Sequence, residues 1–382
     1  MKKLFRISTV PISLNVLLKG QLEFLNQNFD VTAISGSGND LDEVGIREGV
    51  RVFPIDMQRQ ISPFKDLVSL IKLYRYFKKE KPDIIHSITP KAGLLSMIAG
   101  KLAGVPVRMH TFTGLIFPSK KGIMQKLLII MDKVLCACAT NIYPEGQGVK
   151  NDLQKFKITQ KPLKIIGNGN VNGIDTSYFD PEFISETEKE DLRSSLDIKP
   201  GDFIFAFVGR IVKDKGINEL IQAFTTINEK YPNAKLILVG SFEKKLDPIK
   251  PETTEIINVN PNIITVGYQK DIRPYLAISD LFVFPSYREG FPNVLLQAGS
   301  LGLPSVVTDI NGSNEIIQNG LNGYIVPSKD HESLYEKMTL LLKNPQITEQ
   351  MASKSRNHII INYERSYLWN ELLKEYKILL EN

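Results

Sequence analysis

Little cysteine and no long apolar run characterise this chain, and each absence excludes a class of protein. Its two cysteines among 382 residues, Cys136 and Cys138, stand one residue apart inside an apolar segment. A metal or redox pair needs different spacing and further ligands, so we interpret both as buried thiols. No apolar run reaches the roughly 18–20 residues that span a bilayer. The start of the chain also lacks the apolar core and cleavage site of a signal peptide, which predicts a cytoplasmic protein.

Nucleic-acid recognition motifs are absent too, although the chain is basic overall. Residues 1–190 contain 26 Lys and Arg against 19 Asp and Glu, a net charge of +7, whereas residues 191–382 contain 21 against 23, a net charge of −2. No helix-turn-helix, zinc-finger or aromatic-basic motif accompanies this excess, so nucleic acid is not an expected partner. A basic first half suits an anionic lipid surface better, and we expect peripheral contact with the inner face of the plasma membrane.

The apolar pattern is that of two α/β domains, because 382 residues exceed the size of one hydrophobic core. Short, nearly continuous apolar runs alternate with helical stretches such as Leu14–Leu25, Phe64–Lys79 and Lys91–Leu102, which predicts parallel, doubly wound sheets. The runs predicted to be strands are Lys3–Thr9, Asp30–Ser35, Val50–Ile55, Asp83–Ile88, Val107–Phe112, Asn141–Pro144 and Leu163–Ile166 in the first half, and Phe203–Val208, Lys235–Val239, Ile263–Val266, Leu281–Phe284, Ser305–Thr308 and Tyr324–Val326 in the second.

A break in this pattern marks the domain boundary. Residues 167–173 have a loop composition of Gly, Asn and Val, and residues 180–190 are polar. We therefore predict one Rossmann-like domain at residues 1–172 and a second at residues 173–362, followed by a helical segment near residues 363–382. Open α/β sheets bind ligands at the carboxyl ends of their strands, so function is expected at a cleft lined by the loops that follow the strands.

The first candidate loop runs from Gly209 to Gly216, directly after a predicted strand. Gly209 allows a sharp backbone turn, and Arg210 and Lys215 are the cations that can bind phosphate oxygens, the first as a planar fork and the second as a point charge. A solvated basic loop is the alternative interpretation. The position of both cations after a strand favours a clamp on a diphosphate.

The second candidate element runs from Glu289 to Gln297. It predicts a strand that turns at Gly290 and opens a helix, whose unpaired first-turn amides and positive dipole end attract anions. Glu289 before the turn and Gln297 on the helix add groups that recognise hydroxyls. The alternatives are a helix start with Pro292 in its first turn and a solvent-facing Gln297. Phosphate together with sugar hydroxyls is the chemistry of a sugar nucleotide.

These motifs carry a resemblance that covers nearly the whole chain. The pattern resembles the retaining glycosyltransferases of family 4, which have the GT-B fold of two Rossmann-like domains facing a central cleft. In the first half, residues 110–114 and 172–175 are similar to those of members that act in bacterial capsule, O-antigen and exopolysaccharide assembly. In the second half, the matching stretches are residues 209–216, 238–240, 266–267, 285–293, 302–309, 315–317 and 322–323.

The resemblance implies roles for both domains and for single residues. The first domain would bind the acceptor, the second the nucleotide sugar, and the final helix would pack back on the first domain. Arg210 and Lys215 would hold the donor diphosphate, and Glu289 the donor sugar. Gln297 stands where the family has a second glutamate that holds the ribose. The remaining donor-binding positions would be Gly209, Gly290, Phe291, Asn293, Val294 and, beside the uracil, Val266 and Tyr268.

The sequence departs from the family pattern at three places. Gln297 replaces the second glutamate, although an amide can still bind a ribose hydroxyl. The loop Ser8–Ser13 lacks the glycines that the family has near the phosphates. Thr113 stands where a site histidine is expected, and His110 lies three residues earlier. We keep His110 as a candidate catalytic residue that contacts the acceptor or the donor sugar, the alternative being a core or surface imidazole.

The expected reaction is transfer of a hexose-type sugar from a UDP-sugar to an acceptor hydroxyl with retention of configuration. No cofactor is expected, and no metal motif is evident. The segments Leu67–Lys79 and Leu115–Met124 combine apolar residues with lysines, which suits a lipid interface. We therefore expect a polyprenyl-diphosphate-linked saccharide as the acceptor. For Leu67–Lys79, a core-facing helix with a lysine-rich solvent face is the alternative.

Three other functions are alternatives to glycosyl transfer. An NAD-dependent oxidoreductase would need G-x-G-x-x-G between a strand and a helix, which neither Lys3–Ser13 nor Phe203–Gly216 supplies. A UDP-sugar epimerase of the same architecture would convert its substrate without releasing UDP. A non-catalytic, membrane-associated binding protein would be compatible with the basic first half.

Overall fold

The computed structural model of the chain describes residues 1–243 and 247–381. The described residues divide into two compact units. The first unit comprises Met1–Asn172 together with the segment that begins at Arg365, and the second comprises Gly173–Glu364.

In the described part of the first unit, six parallel strands form a sheet in the order β3-β2-β1-β4-β5-β6. The strand order reverses between β1 and β4, and this switch point is where open α/β sheets bind ligands. The strands are β1 Lys3–Ile7, β2 Asp30–Ser35, β3 Arg51–Pro54, β4 Ile84–Ser87, β5 Val107–Phe112 and β6 Asn141–Pro144. The helices are α1 Pro11–Leu17, α2 Gln21–Asn26, α3 Asn39–Glu48, α4 Pro63–Glu80, α5 Pro90–Ala103, α6 Gly122–Cys138 and α7 Gln147–Lys155.

The second unit repeats this architecture. Its six described strands are parallel and lie in the order β12-β11-β10-β7-β8-β9, with the switch point between β10 and β7. The strands are β7 Phe203–Val208, β8 Ala234–Val239, β9 Ile263–Gly267, β10 Leu281–Phe284, β11 Ser305–Thr308 and β12 Gly323–Val326. The helices are α8 Glu186–Ser195, α9 Ile217–Lys230, α10 Pro251–Val259, α11 Arg273–Ala277, α12 Asn293–Ser300, α13 Ser313–Ile316, α14 His331–Lys343 and α15 Pro345–Tyr363.

Helices cover both faces of the first sheet, because successive side chains of β1 pack in different apolar clusters. Phe5 packs with residues of α4 to α6 in one apolar cluster. Leu4 packs with residues of α1 to α3 in another cluster, which also contains Leu372 and Tyr376 of the last helix, α16 Arg365–Glu381. Burial on both faces explains why the strands are nearly continuous apolar runs. No helix in the described residues is at once long enough and apolar enough to cross a bilayer.

The structure differs from the predicted elements at two places. The stretch Leu14–Leu25 is two helices, because the first ends at Leu17 and Gly20, in a left-handed conformation with φ 80°, is the N-cap of the second. Ile165 and Ile166 are not in a strand; Leu163 forms only an isolated bridge with Ile142. The stretch is apolar because Leu163 and Ile166 pack as loop residues against the clusters on the two faces of the sheet.

A buried polar network joins the last helix to the first sheet. Arg6 of β1 is fully buried and donates hydrogen bonds to His86, to the Tyr376 hydroxyl at 2.6 Å and to Gln21 Oε1 at 3.0 Å. Because a guanidinium only donates, His86 Nδ1 accepts, and its Nε2–H donates to Thr111 Oγ1 at 2.7 Å. Burial and the Arg6 charge hold the pKa of His86 well below its usual range. The network therefore uses a neutral imidazole.

We predict that Tyr376→Phe destabilises the first unit by about 1–3 kcal/mol, because the lost hydroxyl leaves buried Arg6 and His86 groups unsatisfied. Urea denaturation followed by fluorescence measures this effect, since the chain's single tryptophan is Trp369 of the same helix. Tyr367→Phe is the matched control, because Tyr367 is 40% exposed. Equal effects of the two variants would contradict a role for the network.

Candidate functional site

A glycine allows the loops that follow β7 and β10 to pack in close contact. Gly216 adopts φ 72°, and a Cβ at this position would collide with the Pro285 carbonyl. The Tyr287 amide also donates to the Asp214 carbonyl at 2.8 Å. Only glycine combines a left-handed conformation with this close approach. The two predicted motifs, residues 209–216 and 289–297, therefore lie at the same edge of the second sheet.

Two further loops pack against these in the same manner. A Cβ at Gly240, after β8, would collide with the Gly209 carbonyl, and a Cβ at Gly312, after β11, would collide with the Gly290 carbonyl. The loops at the carboxyl ends of β7, β8, β10 and β11 thus pack into one continuous surface. This is the edge of an open α/β sheet where ligands bind.

The centre of this surface is an ion pair between Lys215 and Glu289, whose side chains are 19% and 17% exposed. The Ser286 hydroxyl donates to Glu289 Oε1 at 2.7 Å, and the Lys215 ammonium lies 5.2 Å from the centroid of the Phe284 ring. The ion pair and the ring hold Lys215 from two directions. A cation and a carboxylate are therefore fixed side by side.

Arg210 lies at the rim of the same surface and is held less firmly than Lys215. Its side chain is 57% exposed and pairs with Glu243 at 3.2 Å. Exposed ion pairs contribute only about 0–1 kcal/mol, so Arg210 can exchange this carboxylate for another anion at little cost. Arg288 makes a similar exposed pair with Asp214 at 2.9 Å.

Helix α12 begins at this surface. Pro292 occupies the N-cap position, and no side chain in the described residues caps the helix. Val294 lies in the first turn, and Asn293, which opens it, has a polar partner. Gln297 lies one turn further on and is half-buried. Within residues 1–243 and 247–381, no side-chain hydrogen bond of Gln297 is found, so its amide is available to a ligand.

The other predicted donor-binding residues differ in their exposure. Phe291 is 6% exposed and packs on Tyr363 with ring centroids 5.6 Å apart, so only its backbone can contact a ligand. Tyr268 follows β9 and is 76% exposed, which leaves its ring free to stack on a base. The Val266 carbonyl accepts a hydrogen bond from Gln269 Nε2 at 2.7 Å.

His110 lies in the first unit and is buried. It is 1% exposed, and its Nδ1 is 2.8 Å from the Ser87 hydroxyl. Burial lowers the pKa of His110 to about 3. Direct contact with a sugar would require the neighbours of His110 to move, and its role at the site stays a prediction. Thr113 donates to the Ile88 carbonyl at 2.9 Å.

Ser286 is a site residue that the sequence interpretation missed. It is fully buried, orients Glu289 through its hydroxyl, and its carbonyl accepts a hydrogen bond from the Thr308 hydroxyl. The signal was its place inside the matching stretch 285–293, three residues before Glu289. A serine there reads as a turn residue until the contact with the carboxylate is seen. No cluster of His, Cys, Asp or Glu in the described residues has a metal-binding arrangement.

Solved structures share this fold. The chain superimposes on a glycosyltransferase from Rickettsia africae with a TM-score of 0.82 at 19% identity, covering 100% of this chain and 99% of the other. It superimposes equally well on Anabaena Alr3699/HepE in complex with UDP, with a TM-score of 0.82 at 19% identity, covering 99% of this chain and 100% of the other. The fold is therefore GT-B.

Family and sequence comparisons agree. Residues 188–358 match the family model described as glycosyl transferases group 1, and residues 14–144 match the model described as glycosyl transferase 4-like. The chain is 33% identical over 382 residues to the capsular polysaccharide biosynthesis glycosyltransferase CapM of Staphylococcus aureus, covering 100% of this chain and 98% of the relative. It is 31% identical to a UDP-Gal:alpha-D-GlcNAc-diphosphoundecaprenol alpha-1,3-galactosyltransferase of Escherichia coli, covering 93% and 92%. The chain belongs to the group 1 glycosyltransferase family and is an enzyme.

We predict that His110 makes the enzyme less stable in acid. An exposed imidazole in the unfolded chain titrates near 6.5, whereas the folded value is about 3. Between these pH values the unfolded state binds a proton that the folded state does not, so the free energy of unfolding falls as the pH drops below about 6.5, by up to about 1.4 kcal/mol per pH unit.

The measurement compares wild type with His110→Gln at pH 7 and at pH 4.5. The variant should lose less stability than wild type between the two pH values. Carboxyl groups and His86 titrate in both proteins, so their contributions cancel. An equal loss in the two proteins would contradict the assignment of a neutral, buried His110.

Proposed function

We propose that this enzyme transfers a hexose-type sugar from a UDP-sugar to a polyprenyl-diphosphate-linked saccharide, with retention of configuration, in the assembly of a bacterial surface polysaccharide. Relatives named for capsular polysaccharide and for diphosphoundecaprenol-linked acceptors support this assignment. A structural relative in complex with UDP supports the nucleotide. The observation that carries the proposal is the fixed Lys215 and Glu289 pair beside the start of α12.

Each group at the carboxyl edge of the second sheet has a role in this proposal. Arg210, Lys215 and the amides at Asn293 and Val294 bind the diphosphate, because all present positive charge or N–H donors. Glu289 binds hydroxyls of the donor sugar, and Gln297 binds the ribose. The remaining donor contacts are backbone groups at Gly209, Gly290 and Phe291, with Val266 and Tyr268 beside the uracil.

The chemical step is a displacement at the anomeric carbon on the face that the diphosphate leaves. The bond from the anomeric carbon to the phosphate oxygen breaks, the acceptor oxygen forms the new bond, and the acceptor proton passes to the departing phosphate oxygen. Negative charge grows on the diphosphate, and groups that are already oriented toward it lower the barrier most. Glu289 is held by Lys215 and Ser286, which suits it to binding hydroxyls more than to attacking the sugar.

Arg210→Ala and Lys215→Ala should each lower kcat/KM by ~10²–10³ through loss of a preoriented charge. UDP release that depends on the acceptor measures turnover, and circular dichroism checks folding. Lys230→Ala is the matched control, because Lys230 lies at the last turn of α9 in the same unit, at the opposite edge of the sheet. Turnover like that of wild type in both site variants would remove the diphosphate clamp from the proposal.

Membrane contact is the second part of the proposal, and helix α6 supports it. Ile123, Leu127, Ile130 and Val134 form one stripe at helical spacing and are 87%, 39%, 57% and 40% exposed. Exposed lysines at 121, 126 and 133 flank the stripe. Burial raises the pKa of Asp132 to about 7, so this carboxyl group is about half ionised near neutral pH. An apolar stripe between lysines is the pattern of a helix lying in an anionic lipid interface, and this pattern supports the proposal that the enzyme acts at the cytoplasmic membrane face.

We predict that Ile123→Gln/Ile130→Gln abolishes flotation with anionic liposomes at low salt. The wild type should float, because the stripe buries apolar area while the lysines meet the headgroups. Val259→Gln/Ile361→Gln is the control pair, since these residues are 71% and 73% exposed in the second unit and should leave flotation unchanged. A wild type that stays wholly in the soluble fraction would refute membrane contact.

A further inference from the structure

Tyr287 stands two residues before Glu289 at the carboxyl edge of the second sheet, and the donor contacts proposed above do not include it. Its amide donates to the Asp214 carbonyl at 2.8 Å. Its hydroxyl donates to Glu219 Oε2 at 2.6 Å. Asp214 directly precedes Lys215 in the chain, and Glu219 lies in the first turn of α9, which follows that lysine. One tyrosine therefore contacts the chain on both sides of the Lys215 cation.

The bond between the Tyr287 hydroxyl and Glu219 is the stronger of these two contacts. Its acceptor is a carboxylate, and charge-assisted hydrogen bonds are shorter and stronger than neutral ones. Burial and the bond to Glu219 raise the pKa of Tyr287 above its usual range, so the hydroxyl keeps its proton and donates it to the bond. Glu219 is favoured in turn by the positive dipole end of α9, because it lies in the first turn of that helix.

The ring of Tyr287 is held as well as its hydroxyl. The Lys329 ammonium, in the segment between β12 and α14, lies 4.9 Å from the centroid of the ring, which is within the distance at which an aromatic face attracts a cation. The next residue, Arg288, donates from Nε to Asp214 Oδ2 at 2.9 Å. Contacts from the loops after β7 and β12 therefore meet at the two residues that precede Glu289.

These contacts supply what the close approach at Gly216 does not. A glycine permits two loops to come together because it has no side chain in the way, but for the same reason it makes no side-chain contact between them. Tyr287 makes that contact, since it belongs to the loop after β10 and binds the segment that carries Lys215. Because its hydroxyl and its ring already have protein partners, Tyr287 is suited to orienting Lys215 more than to touching a ligand.

We infer that Tyr287, through Glu219, is a positioning residue that holds Lys215 where the departing diphosphate needs it. The inference rests on the proposed function, since Lys215 is the cation that binds the diphosphate there. Without the Tyr287 hydroxyl, Lys215 would keep its charge and its ion pair with Glu289, but its backbone would be held less firmly. A charge that is already oriented stabilises the growing negative charge without reorganisation. The loss should therefore fall on the chemical step.

Tyr287→Phe should lower kcat by about tenfold or more, because a small displacement of a positioned group is costly in the transition state. The KM for the UDP-sugar should stay within about twofold of wild type, since the group is missed most when charge develops. Tyr335→Phe is the matched control, because its exposed hydroxyl accepts from Lys230 at 3.0 Å in the same unit and its loss should change neither constant. A wild-type kcat in Tyr287→Phe would overturn the inference.

Variants of Glu219 test whether the hydrogen bond itself carries the effect. Glu219→Ala should lower kcat as much as Tyr287→Phe does, because each variant removes one end of the same bond. Glu219→Gln keeps an acceptor oxygen for the tyrosine hydroxyl and should recover most of the lost turnover. Equal impairment of the alanine and glutamine variants would make the charge of Glu219 responsible instead of the bond, which contradicts a role for Tyr287.

A double-mutant cycle with Lys215→Ala distinguishes positioning from a general weakening of the fold. If Tyr287 acts through Lys215, Tyr287→Phe should lower kcat in the wild-type background and change it by less than about twofold in Lys215→Ala, because residues that act as a unit are not additive. A general weakening would lower kcat by the same factor in both backgrounds. That second result would overturn the inference.

The same cycle can be measured without turnover, by calorimetry with UDP. Free UDP carries the negative charge that the diphosphate gains when it departs, so its affinity reports on the contact with Lys215. Tyr287→Phe should weaken UDP binding by about fivefold and should have no further effect in Lys215→Ala. Uridine, which has no phosphate, should bind equally to wild type and to Tyr287→Phe. Equal weakening of UDP and uridine binding would contradict the inference.

The two measurements also separate this inference from the proposed function. A wild type that binds UDP but transfers no sugar from a UDP-sugar would refute the proposed function. The cycle of UDP affinities would then still decide whether Tyr287 positions Lys215, because it requires the nucleotide alone.

Discussion

The proposed donor site depends on the close approach of the Gly216 backbone to the Pro285 carbonyl. This contact joins the loops after β7 and β10, the two strands that flank the switch point of the second sheet. Lys215 immediately precedes that glycine, and Glu289 lies four residues beyond Pro285. The ion pair between them is therefore a consequence of backbone packing. Any side chain at position 216 would separate the loops and, with them, the cation from the carboxylate.

Charge is distributed differently in the two units, which agrees with the two partners proposed above. In the second unit, Lys215 and Arg210 are each paired with a carboxylate, so a diphosphate would enter by exchanging partners at a surface that is already balanced. In the first unit, the lysines of α4 and α6 stand beside exposed apolar side chains. Cations that are already paired with carboxylates suit a soluble nucleotide sugar. Lysines beside exposed apolar side chains suit a lipid. The two units differ in charge because a nucleotide sugar and a lipid present different groups to the protein.

Strand and helix type could be read from the sequence because both sheets are buried on two faces, which makes their strands continuous apolar runs. The same logic misassigned residues 163–166, where Leu163 and Ile166 are apolar because a loop packs on the core. It also joined α1 to α2, since Gly20 reads as a tolerated residue within a periodic helix until its left-handed conformation is seen. Local patterns report burial, and burial does not distinguish a strand from a well-packed loop.

By itself the sequence determined two doubly wound α/β domains, because periodic burial is a local property of the chain, and the resemblance of its motifs at residues 209–216 and 289–297 implied the GT-B glycosyltransferases. It also determined which residue types meet the donor edge of the second sheet. Only the tertiary structure decided that Ser286 orients Glu289, that His110 is enclosed and neutral, and that Tyr287 contacts Glu219. These depend on contacts between elements far apart in the chain, and side-chain type cannot reveal which neighbours a residue will have.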